Sequence, residues 1–271
     1  MEVLRSRVVV GYDGGPDGKA ALAWAIRTAR LLRRPLRVVV AANAMDPVLI
    51  SDFHERTERL AKEWRVEAEI AVDEARLRDA SVSVVHGPAV AVLLRSVTPA
   101  DLLVVGCRGH APFVETVGGS VSQHLARHAA CPVVVVRPPA ETASGILVGV
   151  DGSAESLAAA RFACARARLT GEDVTVLHAH RSWLPHPATG AETHAAWLHD
   201  WISPVAEEYD DLHITEEVVD GSASKILGER SGSASLVVLG CRGRDAFVDL
   251  LLGSTSQDVL HQAHCPVAIV R

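Results

Sequence analysis

The chain has 271 residues, room for two ordinary domains, and 48% of them are apolar, which excludes global disorder and allows a buried core. A formal net charge of −6 and a pI near 6.1 argue against a protein whose main task is gripping a nucleic acid backbone, which needs a basic face. No apolar run approaches bilayer length, and the N-terminus lacks the apolar region and cleavage site of a signal peptide, so a cytoplasmic protein without membrane contact is expected.

In chain order, short apolar runs at Val8–Val10, Leu36–Val40, Val82–Val85, Leu102–Val105 and Val133–Val136 predict strands. They are continuous rather than alternating, as expected for parallel strands covered on both faces. Between them lie helical stretches. In "GKAALAWAIRTARLL", Leu22, Ala25, Ile26, Ala29 and Leu32 form one apolar stripe at helical spacing. "SVSQHLARHA" runs into Cys131-Pro132, where proline ends the helix. "RPPAETASG", Arg137 to Gly145, reads as a linker. The order then restarts, with strands predicted at Ile146–Val150, Val174–Leu177, Ile214–Val219, Leu236–Leu239 and Val267–Val270.

The restart is a duplication. "VVVGYDGG" at Val8 returns as "ILVGVDGS" at Ile146, 138 residues on. "HGPA" at His86, "DLLVVGCRG" at Asp101 and "ACPVVVVR" at Ala130 return as "DGSA", "SLVVLGCRG" and "HCPVAIVR", each 134 residues on. The offset changes once, by four residues, between Asp13 and Gly87, so one loop there is longer in the first copy. Two tandem domains, 1–140 and 141–271, are expected, each a doubly wound α/β domain with a five-stranded parallel sheet.

Ligands of such sheets bind beyond the carboxyl ends of the strands, where strand order reverses. The loops "GYDGG" and "GCRGHAPFVETVGGS" lie on that edge. Gly106 and Gly109 follow the fourth strand of the first copy, and Gly119-Ser120 opens the next helix. Glycine lets a phosphate approach the backbone, and a helix start offers unpaired N–H groups and a positive dipole end. Ser120 and Ser122 add hydroxyl donors, and Arg108 adds charge. The second copy supplies Gly240, Arg242, Gly243, Gly253, Ser254 and Ser256, with Thr255 between. Asp13 and Asp151 end the first strand of each copy, suited to a ribose hydroxyl or a metal ion, or equally to a turn or helix N-cap. A lone GxxG is weak. GxxG-x9-GS between strand and helix, present twice, is much stronger, against the plainer reading of glycines that only make tight turns.

In "VGVDGS", the small residue ending the second strand, G-2x-G-9x-G-(S/T) and "CPVxVVR", the chain resembles the universal stress protein family, over nearly its whole length as two tandem domains. The resemblance implies strand order 3-2-1-4-5 and ATP binding in members that keep the glycine motif. Carried over by position, Asp13 contacts the nucleoside and the backbone of Ala41 meets the adenine. Gly106, Arg108, Gly109, Gly119, Ser120, Val121 and Ser122 surround ribose and phosphates. Asp151, Ala179, Gly240, Arg242, Gly243, Gly253, Ser254, Thr255 and Ser256 match them in the second copy. Two ATP sites per chain are therefore expected. Gly15 departs from the more usual serine, present as Ser153, which bears on a local turn or cap. In the family the last strand often mediates dimerisation, so Val133–Arg137 and Val267–Arg271 are expected to pair the two halves as an intrachain pseudo-dimer, with a homodimer left open.

Other features carry less. "GGPDGKA" fails as a P-loop, because Asp13 stands where glycine is needed and Ala20 where Ser or Thr is. The 13 histidines match no firm metal signature. Cys107 and Cys241, inside the glycine motifs, read as small loop residues more readily than as redox sensors, and an odd five cysteines in all fit free thiols. Segments Asn43–Trp64 and Arg181–Tyr209 differ most between copies and are expected at the ligand edge, as a lid or a partner surface. The leading expectation is a nucleotide-dependent stress regulator with an unidentified protein partner and at most slow, metal-assisted hydrolysis. The rivals are a metal-dependent ATPase or nucleotidyl-transferring enzyme with Mg²⁺ on Asp13 and Asp151, and an interaction module that binds no nucleotide.

Overall fold

A computed structural model describes residues 7–42, 51–108, 120–138, 140, 142–180, 191–243 and 251–271. The chain divides into two compact units, Met1–Arg137 and Pro138–Arg271. In the first, the strands are β1 (Val8–Gly11), β2 (Leu36–Ala42), β3 (Ala80–His86), β4 (Leu102–Gly106) and β5 (Val133–Val136). The helices are α1 (Pro16–Leu32), α2 (Ser51–Glu74), α3 (Ala89–Arg95) and α4 (Ser120–His128). The second contains β6 (Ile146–Val150), α5 (Ala154–Thr170), β7 (Val174–His180), α6 (Ala191–Glu208), β8 (Ile214–Asp220), α7 (Ala223–Arg230), β9 (Leu236–Gly240), α8 (Ser254–Gln262) and β10 (Val267–Val270).

The sheet of the first unit is parallel, in the order β3-β2-β1-β4-β5, as the family resemblance implies. The second unit has the same order, β8-β7-β6-β9-β10, also parallel. Crossovers from β1 and β2 run one way along the sheet and those from β3 and β4 the other. Right-handed connections then put α1 and α2 on one face and α3 and α4 on the opposite face. Order reverses between β1 and β4, and between β6 and β9, which opens a crevice at the carboxyl ends of those strands.

The central strands are buried on both faces: Val8, Val9, Val10, Leu103 and Val104 have no exposed surface, nor do Val148, Val237 and Val238. Their continuous Val/Leu runs follow from that double cover. The edge strands β3 and β8 are mostly half-buried, because each has a neighbour on one side only. β2 runs two residues past its predicted end at Val40, and β7 three past its predicted end at Leu177. Ala41 and Ala42 gain ladder partners in Val85 and His86, and Ala179 and His180 gain Val219 and Asp220. Pairing with the edge strand outweighs the weak strand preference of alanine.

Helix ends explain their sequences. α5 begins at Ser153, whose hydroxyl accepts from the Ser156 N–H at 3.1 Å, and ends at Gly171 in the left-handed region with φ 72°. α1 begins at Gly15, which has no capping side chain, and carries Pro16 at its first position. α6 contains Pro204, which lacks an N–H for the Asp200 carbonyl. The Ser203 hydroxyl donates to that carbonyl at 3.0 Å instead. Most of the two variable segments is therefore helix, α2 and α6, packed on β2–β3 and β8. Residues 43–50 and 181–190 of those segments lie outside the described residues.

Candidate functional site

In the second unit, β6 delivers Asp151 to the crevice, and Gly152 turns the chain there with φ 86°. Oδ1 of Asp151 accepts from the backbone N–H of Ser153 at 3.0 Å and from its hydroxyl at 2.6 Å. The other oxygen, Oδ2, faces Gly243, where a Cβ would overlap it. Asp151 and the glycine motif, far apart in sequence, thus touch through a gap only glycine leaves open. A Cβ on Gly240 would lie 2.8 Å from the Glu155 carbonyl carbon, so the first turn of α5 closes on the end of β9.

Gly253 is the N-cap of α8, without a capping side chain among the described residues. Its own N–H donates to the Cys241 carbonyl at 2.7 Å, and the Ser256 hydroxyl donates to the Gly240 carbonyl at 2.7 Å. These bonds pin the start of α8 against the end of β9. Ser256 is buried, and its hydroxyl serves the fold. Ser254 is exposed and Thr255 half-buried at the helix start. Arg242 is half-buried, and its Nε is buried without a hydrogen-bond partner among the described residues. Ala179 is half-buried in β7 beside Val219.

The first unit repeats the plan with different details. Oδ1 of Asp13 accepts from the Gly15 N–H at 3.1 Å, and a Cβ on Gly18 would overlap that carboxylate. Gly106 meets the backbone of Asp17 as Gly240 meets Glu155, with a Cβ position 2.8 Å from the Asp17 carbonyl carbon. The Arg108 backbone N–H donates to Oδ2 of Asp17 at 3.0 Å. Ser122 is buried, its hydroxyl donating to the Cys107 carbonyl at 3.3 Å. Ser120 is exposed at the start of α4, Val121 beside it is half-buried, and Ala41 sits in β2 beside Val85. Gly109 and Gly119 lie outside the described residues.

Three features escaped the sequence reading. One is the Asp17–Arg108 contact. A second is a network on the face covered by α1 and α2: the Tyr12 hydroxyl donates to Glu67 at 2.6 Å, and Lys19 pairs with Glu67 at 2.6 Å. The Lys19 and Tyr12 hydrogen bonds hold the Glu67 carboxyl below its usual range, while burial and then Glu67 push the Tyr12 phenol well up. The third lies at the end of β7. Buried His178 has Nδ1 3.0 Å from the Val150 carbonyl oxygen, and its ring is 4.6 Å from that of Trp197. His180 stacks on His194 at 4.2 Å. Desolvation, then His180 and His178, hold His194 below its ordinary value. The alternation His178-Ala-His180 was the visible signal, but nothing in the sequence aimed α6 at it. Among the described residues no group of three or more His, Cys, Asp or Glu is arranged to hold a metal ion.

All five cysteines are buried and free. Arg137 Nη2 donates to Cys107 Sγ at 3.0 Å. Burial pushes the Cys241 thiol up, although Arg271 nearby pulls the other way. Burial likewise pushes Cys164 up to about 12. At neutral pH Cys241 and Cys164 are protonated packing residues. No helix among the described residues is long and apolar enough to cross a membrane.

Two parallel α/β units, each with an aspartate-bearing turn after its first strand and a glycine-bearing turn after its fourth, define a duplicated doubly wound protein. The model of the universal stress protein family matches residues 5–137 and again 144–271, and the chain belongs to that family. Universal stress protein Rv2623 of Mycobacterium tuberculosis is 32% identical over 289 residues, covering 97% of this chain and 96% of the relative. Rv2005c of the same organism is 30% identical over 286 residues, with 97% and 96% covered. The crystal structure of a universal stress protein from Archaeoglobus fulgidus matches the fold with TM-score 0.76 at 18% identity, covering 98% of this chain and 99% of that one.

Proposed function

We propose that each unit binds one adenine nucleotide, ATP with Mg²⁺, and that the protein is a nucleotide-dependent regulator of the stress response. The observation that carries this reading is the meeting of Asp151 with Gly243 beside the uncapped start of α8. A carboxylate suits a ribose hydroxyl, and free helix N–H groups suit phosphate oxygens. The residues present fit such a ligand. Arg242 offers a buried Nε without a partner among the described residues, and the glycines leave the backbone approachable. Asp151 and the backbone of Ala179 would orient the nucleoside. Gly240, Gly243, Gly253, Ser254, Thr255 and the N–H of Ser256 would receive the phosphates, with Arg242 balancing their charge. In the first unit Asp13, Ala41, Gly106, Arg108, Gly109, Gly119, Ser120, Val121 and Ser122 take these parts.

The carboxylates of Asp13 and Asp151 both accept turn hydrogen bonds, a positioning role rather than that of a general base. Turnover is therefore slow, and the nucleotide acts as a signal that a protein partner in the cytoplasm reads. Calorimetric titration with ATP and Mg²⁺ tests the reading: saturable binding that Asp13→Ala and Asp151→Ala together abolish supports it. No heat and no saturation in the wild-type protein would leave an interaction module.

A further inference from the structure

The two copies differ at the Arg108 N–H of the glycine loop. In the first unit, the Arg108 N–H donates to Oδ2 of Asp17 at 3.0 Å. Asp17 sits in the first turn of α1, and its backbone is the surface on which Gly106 packs. Its carboxylate is thus held by the fold on the loop itself. In the second unit the same position, 138 residues on, is Glu155. Its backbone packs on Gly240 in the same way and its carboxylate lies close enough to push the Cys241 thiol up, but it makes no hydrogen bond to the described residues of the loop. A carboxylate accepting a backbone N–H at an anion-binding turn is itself an anion in place.

We infer that Asp17 is a specificity-determining residue that makes the first unit the weaker site for a phosphate chain, because its carboxylate already holds the Arg108 N–H as an internal anion. This rests on the adenine-nucleotide reading above. A phosphate chain entering the first unit meets a fixed negative charge and finds one donor taken. A neutral nucleoside meets neither obstacle. The first unit therefore discriminates less between adenosine and ATP, and the second favours ATP. Arg108 itself is exposed, so its side chain offsets the Asp17 charge only through solvent.

Asp17→Asn separates charge from geometry, since asparagine keeps an acceptor for the Arg108 N–H and almost the same shape. Calorimetry with ATP–Mg²⁺ and, separately, adenosine is run on the full-length wild type, on Asp17→Asn and on Glu155→Gln, at low and at high salt. The wild type is expected to show two ATP transitions. In Asp17→Asn the weaker one tightens about tenfold, roughly the effect of one like charge a few ångström away in partly solvated surroundings. Adenosine affinity stays within about twofold, Glu155→Gln has the smaller effect, and added salt narrows the gap. Unchanged or weaker ATP binding in Asp17→Asn would overturn the inference, and weaker binding would make Asp17 a support of the loop. Two equal wild-type transitions that Asp17→Asn leaves equal would sink it while sparing nucleotide binding. No binding by the wild type would remove both.

Discussion

Gly243 and Ser256 carry different duties within one turn. A side chain at Gly243 would overlap Oδ2 of Asp151. Gly243→Ala should displace that carboxylate, cost about 1–3 kcal/mol as overpacking does, and remove nucleotide binding from the second unit alone. Urea unfolding and a calorimetric stoichiometry check both parts. Ser256→Ala should lower stability by about 1–3 kcal/mol, since it leaves the buried Gly240 carbonyl without its 2.7 Å donor. Ser254→Ala, at an exposed position, should leave the unfolding midpoint in place and weaken ATP binding. The glycine spacing was legible in the sequence because backbone approach needs glycine wherever it occurs. The inward turn of Ser122 and Ser256 was not, since a hydroxyl at the third position of a helix serves a ligand or a strand end equally well.

At the scale of elements, the helices that begin beside the site differ by one cap. Ser153 both caps α5 and donates to Asp151, whereas Gly15 can do neither by side chain. Ser153→Ala should cost about 1 kcal/mol and loosen Asp151, seen as a lower unfolding midpoint and weaker ATP binding in the second unit. The meeting of α6 with β7 is sensitive to acid. His194 titrates below its ordinary 6.5 when folded, so the proton binds the unfolded chain more readily. The contribution from this contact is fully present above the ordinary value. It is lost as pH falls from there through the folded value. Thermal unfolding followed from about pH 7.5 to about pH 5.5 should show a decline that His194→Phe, which keeps a ring and removes the proton, makes shallower. An equal decline in both proteins would contradict the assignment. Strand positions were legible from their Val/Leu runs. The last two residues of β2 and the last three of β7 were not, because pairing with the edge strand, a long-range fact, extends them.

For the whole molecule, the duplication carried most of the architecture. Repeated "VVVGYDGG"/"ILVGVDGS" and "GCRG" motifs marked two units, strand–helix alternation pointed to a parallel sheet in each, and the order 3-2-1-4-5 came from the resemblance to the universal stress protein family. What repetition concealed is how the copies diverge. Asp17 against Glu155, Gly15 against Ser153 and Val40 against His178 look like ordinary drift in the sequence. Each acquires meaning only from what it touches. Both units are proposed to hold an adenine nucleotide. This is tested most directly by native mass spectrometry of the full-length protein at saturating ATP and Mg²⁺, counting nucleotides per chain. Two are expected, the first unit filling at higher ATP than the second. A chain that carries none at any concentration would contradict the proposal.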